Sequence, residues 1–480
     1  MSQLNLIDTL IVFAYLAAMI LIGLYALKKR RDVDDYYVGG RKSGPYVLAC
    51  LWMSSWIGGA TVIGSVDKAY SMGLTAIWYC GSMAVGCVIF ALTSTRLIQR
   101  VGARFQCLTY PELIECRYGP SARLIATITT FLAYVAYTAG QFLAMAKILS
   151  GFLGWDLTAS IWVAGASMVI YTALGGFIAV TLTGVAQALA ITISLALVMA
   201  PILYFQVGGV ERMVSQLPAG FMDVGAWGWG TVLGLMVTII LTFYTSMDSY
   251  TRCFAARDGA AARRGTLLAA ILVTAVALST TFVGLVAKTA IADLPEGATA
   301  MSAMVSLMPT GIRGLILIGL LAAIMSTGSV CILVASANIS QDIYKRFINP
   351  QATSGRLVIL GSLSGVVVGV LSVYLAIARQ DVIGVLYIAF TVNSAGLFIP
   401  TLGAFIWNKG GGLAASLSMG LSLAVVVFWY VGQSVWPDSG LFALDPVWPG
   451  LLVSTLVFVG LGLKLPLNAQ ERLKLADFRA

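Results

Sequence analysis

Thirteen apolar runs, most of about 20 residues, leave this chain few ways to fold. In hydrocarbon every backbone amide and carbonyl must find its partner within the protein, and a helix of that length does so while crossing a bilayer. The runs lie at about 6–27, 46–66, 74–95, 122–153, 159–180, 183–207, 228–249, 266–291, 312–338, 356–378, 382–408, 412–433 and 447–463. With 59% of its 480 residues hydrophobic and only 10% charged, the chain lacks the polar surface of a water-soluble fold. The runs predict an all-α polytopic membrane protein of about 13 transmembrane helices, a single membrane domain over 1–480.

Charge fixes the direction. The first run continues for about 22 residues into Lys28, Lys29, Arg30 and Arg31, too long for a signal-peptide core and without its small-residue cleavage site. It is read as a retained first span. Six Lys and Arg between Lys28 and Lys42 put the first loop in the cytoplasm and the N-terminus outside. Alternation then places the C-terminus inside, and only Lys68, Lys147, Arg212, Lys288, Arg313 and Arg379 fall away from cytoplasmic loops. The net charge of +9 is thus accounted for by lipid, with no nucleic-acid partner required. No His is present to relay protons. The seven Cys, among them Cys50, Cys80, Cys87 and Cys331 within spans, have no metal-ligand spacing and read as reduced packing residues. Nothing supports an enzyme: metal spacing and a nucleophile elbow are both missing, as is a repeated selectivity filter for a channel. The 17 residues after the last span are too few for a signalling or catalytic domain.

Three spans are not plain apolar rods. The second carries Trp52-Met53-Ser54-Ser55-Trp56-Ile57-Gly58-Gly59, and the seventh ends in Thr242-Phe243-Tyr244-Thr245-Ser246-Met247-Asp248-Ser249. Interrupted segments at corresponding places in two halves point to an inverted-repeat transporter with its site near the midplane. The halves would be spans 2–6 (45–207) and 7–11 (228–408), with 1–44 and 409–480 peripheral. The ninth span holds Leu321–Ser329, where Ser326 and Thr327 set two hydroxyls about 100° apart and Ala323 lies one turn earlier. Such hard, neutral oxygens suit Na+. The other reading is that they bond back to their own helix or join two helices. Asp67 and Asp248 stand near the membrane interior, where an ionisable group is costly. Asp248 precedes Arg252 by four residues and could pair with it, while Asp67 and Lys68 could both be solvated.

Several stretches in the right order resemble the sodium:solute symporter family, in its bacterial form, across essentially the whole chain. They are Tyr36-Tyr37-Val38-Gly39-Gly40-Arg41, Tyr171-Thr172-Ala173-Leu174-Gly175-Gly176 followed by Gln187, Arg252-Cys253-Phe254-Ala255-Ala256-Arg257-Asp258, and Ala322-Ala323-Ile324-Met325-Ser326-Thr327. The resemblance implies a leucine-transporter-like core and a sodium site. That site would use the backbone carbonyls of Cys50, Met53 and Ala323 and the hydroxyls of Ser326 and Thr327, the broken second span freeing the first two. The chain departs from the family at Gly184, where many relatives carry an aspartate linked to a second sodium or to sodium release. One sodium per cycle is therefore expected. Proton coupling is the rival, and would need Asp67 or Asp248.

Around the second span the sequence is also similar to the choline-transporting branch, in Ser55-Trp56-Ile57-Gly58-Gly59 and Gly64-Ser65-Val66-Asp67-Lys68-Ala69-Tyr70. That likeness implies a solute pocket of Trp56, Tyr79, Tyr137 and Tyr387, and slightly favours an organic cation. It is incomplete, since Ser246 stands where that branch has a tryptophan. Ile57 and Cys80 at two sugar-binding positions argue against a sugar, and amino acids, carboxylates and vitamins stay open. The expected activity is Na+-coupled uptake of a small organic solute across the bacterial inner membrane. The alternatives are a proton-coupled symporter and a membrane sensor that works with a separate signalling partner.

Overall fold

The apolar runs become helices. The computed structural model describes residues 5–29, 33–294, 298–380, 382–436 and 439–479, and these contain helices and connecting turns but no strand. Arg30 and Arg31 lie outside the described residues, as do the side chains of Lys28, Lys29, Tyr171 and Leu174. We number the long helices, and the halves of broken ones, in chain order. They are α1 (Leu6–Lys29), α2 (Pro45–Trp56), α3 (Gly59–Met72), α4 (Ile77–Thr93), α5 (Pro120–Leu153), α6 (Leu157–Ile191) and α7 (Trp229–Phe243). The rest are α8 (Met247–Ala255), α9 (Gly259–Ala290), α10 (Ile312–Ala337), α11 (Ser354–Arg379), α12 (Val382–Ile406), α13 (Gly412–Val435), α14 (Val447–Lys464) and α15 (Ala469–Arg479).

By length and apolarity, ten described helices can cross a membrane, or eleven when α7 and α8, bent by 46° at a short break, are joined. This is fewer than the thirteen runs of the sequence. Breaks contribute to the difference, because α2 stops after 12 residues at Trp56 and α7 after 15 at Phe243. Within α6 the helix breaks at Gly176, which takes φ 56° and ψ −150°. A Cβ there would come within 2.4 Å of the buried Tyr36 ring, so glycine serves both the turn and the close approach.

The core lies around α10. Nearly every residue from Gly314 to Ala337 is buried, as befits a helix apolar on all sides. α1, α5 and α6 pack against it. α3 approaches so closely that a Cβ on Gly59 would lie 2.3 Å from Ile324 Cγ1 and 2.9 Å from Ala144 Cβ. The start of α10 is capped from α1: the fully buried Asp8 carboxylate accepts the N–H groups of Gly311 and Gly314 at 2.8 and 2.9 Å. Beyond the other end of α10, Arg123 at the start of α5 pairs with Asp342 (2.7 Å), Glu115 (2.8 Å) and Glu112 (3.0 Å). A buried cation held by several carboxylates is costly to leave unpaired, so this cluster ties α5 to the chain after α10. α15 docks through Phe478, buried between Phe105 and Phe405, while its Glu471 accepts the Gly412 N–H at the head of α13.

Candidate functional site

The site begins where α2 stops. Ile57 leaves the helical region, Gly58 is extended (φ −94°, ψ 178°), and α3 starts again at Gly59. A break at this depth exposes polar backbone that water cannot satisfy, so protein groups must do it. Gln141 of α5 takes the Gly59 N–H on its side-chain oxygen at 3.0 Å. Thr327 of α10 donates its hydroxyl to the Ser54 carbonyl at 3.2 Å, and its Oγ1 lies 3.0 Å from where a Gly58 Cβ would sit. The last turn of α2 and the middle of α10 therefore meet at the break.

The five candidate sodium ligands lie on these two elements. Met53, Ala323, Ser326 and Thr327 are buried and Cys50 is half-buried. Ser326 donates to the Ala323 carbonyl at 3.0 Å. One expectation needs correcting. The chain unwinds only at Ile57 and Gly58, past both Cys50 and Met53, and the Met53 carbonyl accepts the Ile57 N–H at 2.9 Å. Neither carbonyl is freed by unwinding. What Met53 offers is the second lone pair of a carbonyl in the last helical turn. Gly184 also faces this place, since a Cβ on it would lie 3.1 Å from both Leu51 Cδ2 and Ser54 Oγ.

Beside the break is a small cavity. Trp56, Tyr79, Tyr137 and Thr327 line it together with Tyr134, Gln141, Asp248 and Phe390. Trp56 stacks on Phe243 at the end of α7, ring centroids 3.7 Å apart, and so brings the two broken spans together. Tyr137 packs against Tyr134 (5.3 Å) and edge-on to Phe390 (5.2 Å). The Tyr137 hydroxyl and the Trp56 indole N–H are buried without hydrogen-bond partners among the described residues.

Tyr387 is not among the lining residues. Its hydroxyl donates to Asp445, and it is Leu386 and Phe390, four residues apart on one helix face, that reach the cavity. The likeness to the choline-transporting branch favoured Tyr387, but one residue along a helix turns a side chain by about 100°. Asp248 does not pair with Arg252. Its Oδ1 accepts from the hydroxyls of Tyr134 and Ser246, and its own N–H donates to Tyr134 Oη at 3.0 Å. Arg252 instead donates from Nε to the Leu51 carbonyl at 3.4 Å and lies over Phe177. Asp67 is not merely solvated, for its Oδ1 accepts the Ala300 N–H at 2.7 Å. The sequence reading passed over Tyr134, Gln141 and Phe390, although Tyr134, Tyr137 and Gln141 fall on one face of α5 by their spacing of three and four.

Comparison with known proteins places these features in a wider set. Residues 36–418 match the model of the sodium:solute symporter family. The osmoregulated proline transporter OpuE of Bacillus subtilis is 28% identical over 485 residues, covering 96% of this chain and 95% of its own. The sodium/proline symporter of Escherichia coli is 27% identical, with 96% and 95% covered. Among solved structures, a Na+-coupled sialic acid symporter in a substrate-bound outward-open state superposes with a TM-score of 0.83 at 21% identity, over 96% of this chain and 98% of that one. The nucleobase-cation-symport-1 family transporter Mhp1, in a closed conformation, gives 0.54 at 14% identity over 92% and 98%. Both likenesses are of fold.

Proposed function

Because the chain belongs to the sodium:solute symporter family, we propose that it carries a small amino acid, with L-proline the first candidate, into the cell together with Na+. Sodium symport is the family's activity. The solute reading draws on the relatives, which are proline transporters at full chain coverage. It replaces the organic cation, which rested on a local likeness around the second span and on the rings of Trp56, Tyr79, Tyr137 and Tyr387, the last of them outside the cavity. The aromatic walls offer a pyrrolidine ring desolvated contact.

The observation that carries the reading is Thr327, which borders the cavity and also bonds the last turn of α2. In the proposed mechanism Na+ draws together the hydroxyls of Ser326 and Thr327 and the carbonyls of Cys50, Met53 and Ala323. Thr327 then turns from the Ser54 carbonyl to the ion, fixing the break that forms one wall of the cavity. Ion and solute thereby tighten each other's binding, and this coupling is reciprocal. The same reading keeps thirteen membrane passes with the N-terminus outside, two inverted halves at 45–207 and 228–408, and one sodium per cycle.

Uptake of labelled L-proline into proteoliposomes tests it. An inward Na+ gradient should drive accumulation that an equal K+ gradient does not. Equal uptake with either ion, or uptake driven by a proton gradient alone, overturns the reading.

A further inference from the structure

We infer that Asp248 is the acceptor for the solute's ammonium group, and that this carboxylate selects α-amino acids over amine-free acids of the same shape. The inference rests on the amino-acid reading above and names the part of the site that recognises the nitrogen.

Asp248 is the one formally charged side chain among the cavity's lining residues. It is 6% exposed, and a buried charge must be paired or hydrogen-bonded to persist. The hydrogen bonds it receives fall on one oxygen only. Tyr134 and Ser246 both donate to Oδ1, whereas Oδ2 receives no hydrogen bond among the described residues. Among the described residues no ion pair supplies the balance, for Arg252, four residues on, is turned to the Leu51 carbonyl and Phe177. The carboxylate is also held rigidly. The Asp248 N–H donates to the same Tyr134 hydroxyl that bonds Oδ1, a two-point contact between α8 and α5.

Its place on the chain supports a standing negative charge. Asp248 is in the first turn of α8, where unsatisfied N–H groups favour an anion. The result is a fixed carboxylate with one oxygen unused, at the edge of a cavity walled by Tyr134, Tyr137 and Phe390. An ammonium with two N–H donors supplies what is missing: a donor for Oδ2 and a positive charge for the ring faces. A carboxylate-only solute would leave the two anions facing each other in a low-dielectric cavity.

The test uses the full-length protein in proteoliposomes, with cyclopentanecarboxylate as a proline analogue whose ring nitrogen is replaced by carbon. In the wild type it should compete at least about tenfold more weakly than L-proline, since a charged hydrogen bond is worth on the order of a tenfold change in affinity. In Asp248→Asn the KM for proline should rise about tenfold or more, and the gap between the two compounds should close, while the Na+ for half-maximal uptake, measured at saturating proline for each protein, stays unchanged. Sodium-dependent thermal stabilisation of the purified variant shows that it is folded. Should it not fold, the wild-type competition decides alone, and equal competition by both compounds overturns the inference. An unchanged proline KM in a folded Asp248→Asn overturns it too. So does a shifted Na+ requirement with the gap intact, which would assign Asp248 to the ion. A wild type with no Na+-driven amino-acid uptake fails the amino-acid reading itself and takes the inference with it.

Discussion

At the scale of single residues, the hydroxyls of α10 are the sharpest test. Replacing both Ser326 and Thr327 with Ala removes two neutral ligands and should raise the Na+ needed for half-maximal uptake about tenfold or more, taking each lost ligand as about 1 kcal/mol. The variant loses one hydrogen bond to the Ala323 carbonyl and one to the Ser54 carbonyl, about 1 kcal/mol each, and should still fold. Unchanged sodium dependence removes these residues from the site. Tyr137 and Tyr387 form a second pair of opposites. Tyr137→Leu takes a ring out of the cavity wall and should raise the proline KM, whereas Tyr387→Phe only frees Asp445 and should leave it unchanged. Equal effects of the two would mean that the cavity is not the solute site. The place of Thr327 beside the cavity was legible, because adjacent hydroxyls in an apolar run stand out as candidates. Asp248 was not: sequence spacing favoured Arg252 as its partner, and only the packing of α5 against α8 brings Tyr134 there instead.

At the scale of elements, the breaks do the positioning. Gly59→Ala would press a methyl into Ile324 and Ala144 and force α3 away from α10, at a cost of about 1–3 kcal/mol for overpacking. Gly176→Ala adds a left-handed backbone to a clash with Tyr36, with strain of about 1–3 kcal/mol from the backbone alone. Both should lower the temperature of unfolding in detergent. Only Gly59→Ala should also weaken proline binding in the protein that remains folded, because Gly59 stands at the break between α2 and α3 beside the cavity, whereas Gly176 stands at a separate break within α6. Equal binding defects would argue that both act through global stability. A polar, glycine-containing stretch in the second span and a polar one in the seventh announced the interruptions of those two spans in the sequence. Where each helix stops was harder to read. Composition does not distinguish a turn lost at Cys50 from one lost at Ile57, and this decides which carbonyls are free.

At the scale of the whole molecule, the all-helical membrane architecture was legible because hydrocarbon leaves the backbone no other choice. The number of continuous spans was less so, since a run of apolar residues does not reveal a break within it. Gly184 carries the prediction for the cycle as a whole. With no carboxylate there, uptake against Na+ concentration should follow a Hill coefficient near one, and a value near two requires a further ion site elsewhere. One contact, finally, reaches beyond the protein. The Asp8 carboxylate fastens the head of α1 to the head of α10, while Leu6, Leu10 and Phe13 on α1 are exposed on its outer face. If α10 tilts during transport, α1 is dragged sideways through the acyl chains like a rudder through water. The viscosity and thickness of the lipid then become a load on the helix that carries the ion ligands, and a stiffer bilayer should slow the carrier without touching its affinity for either cargo.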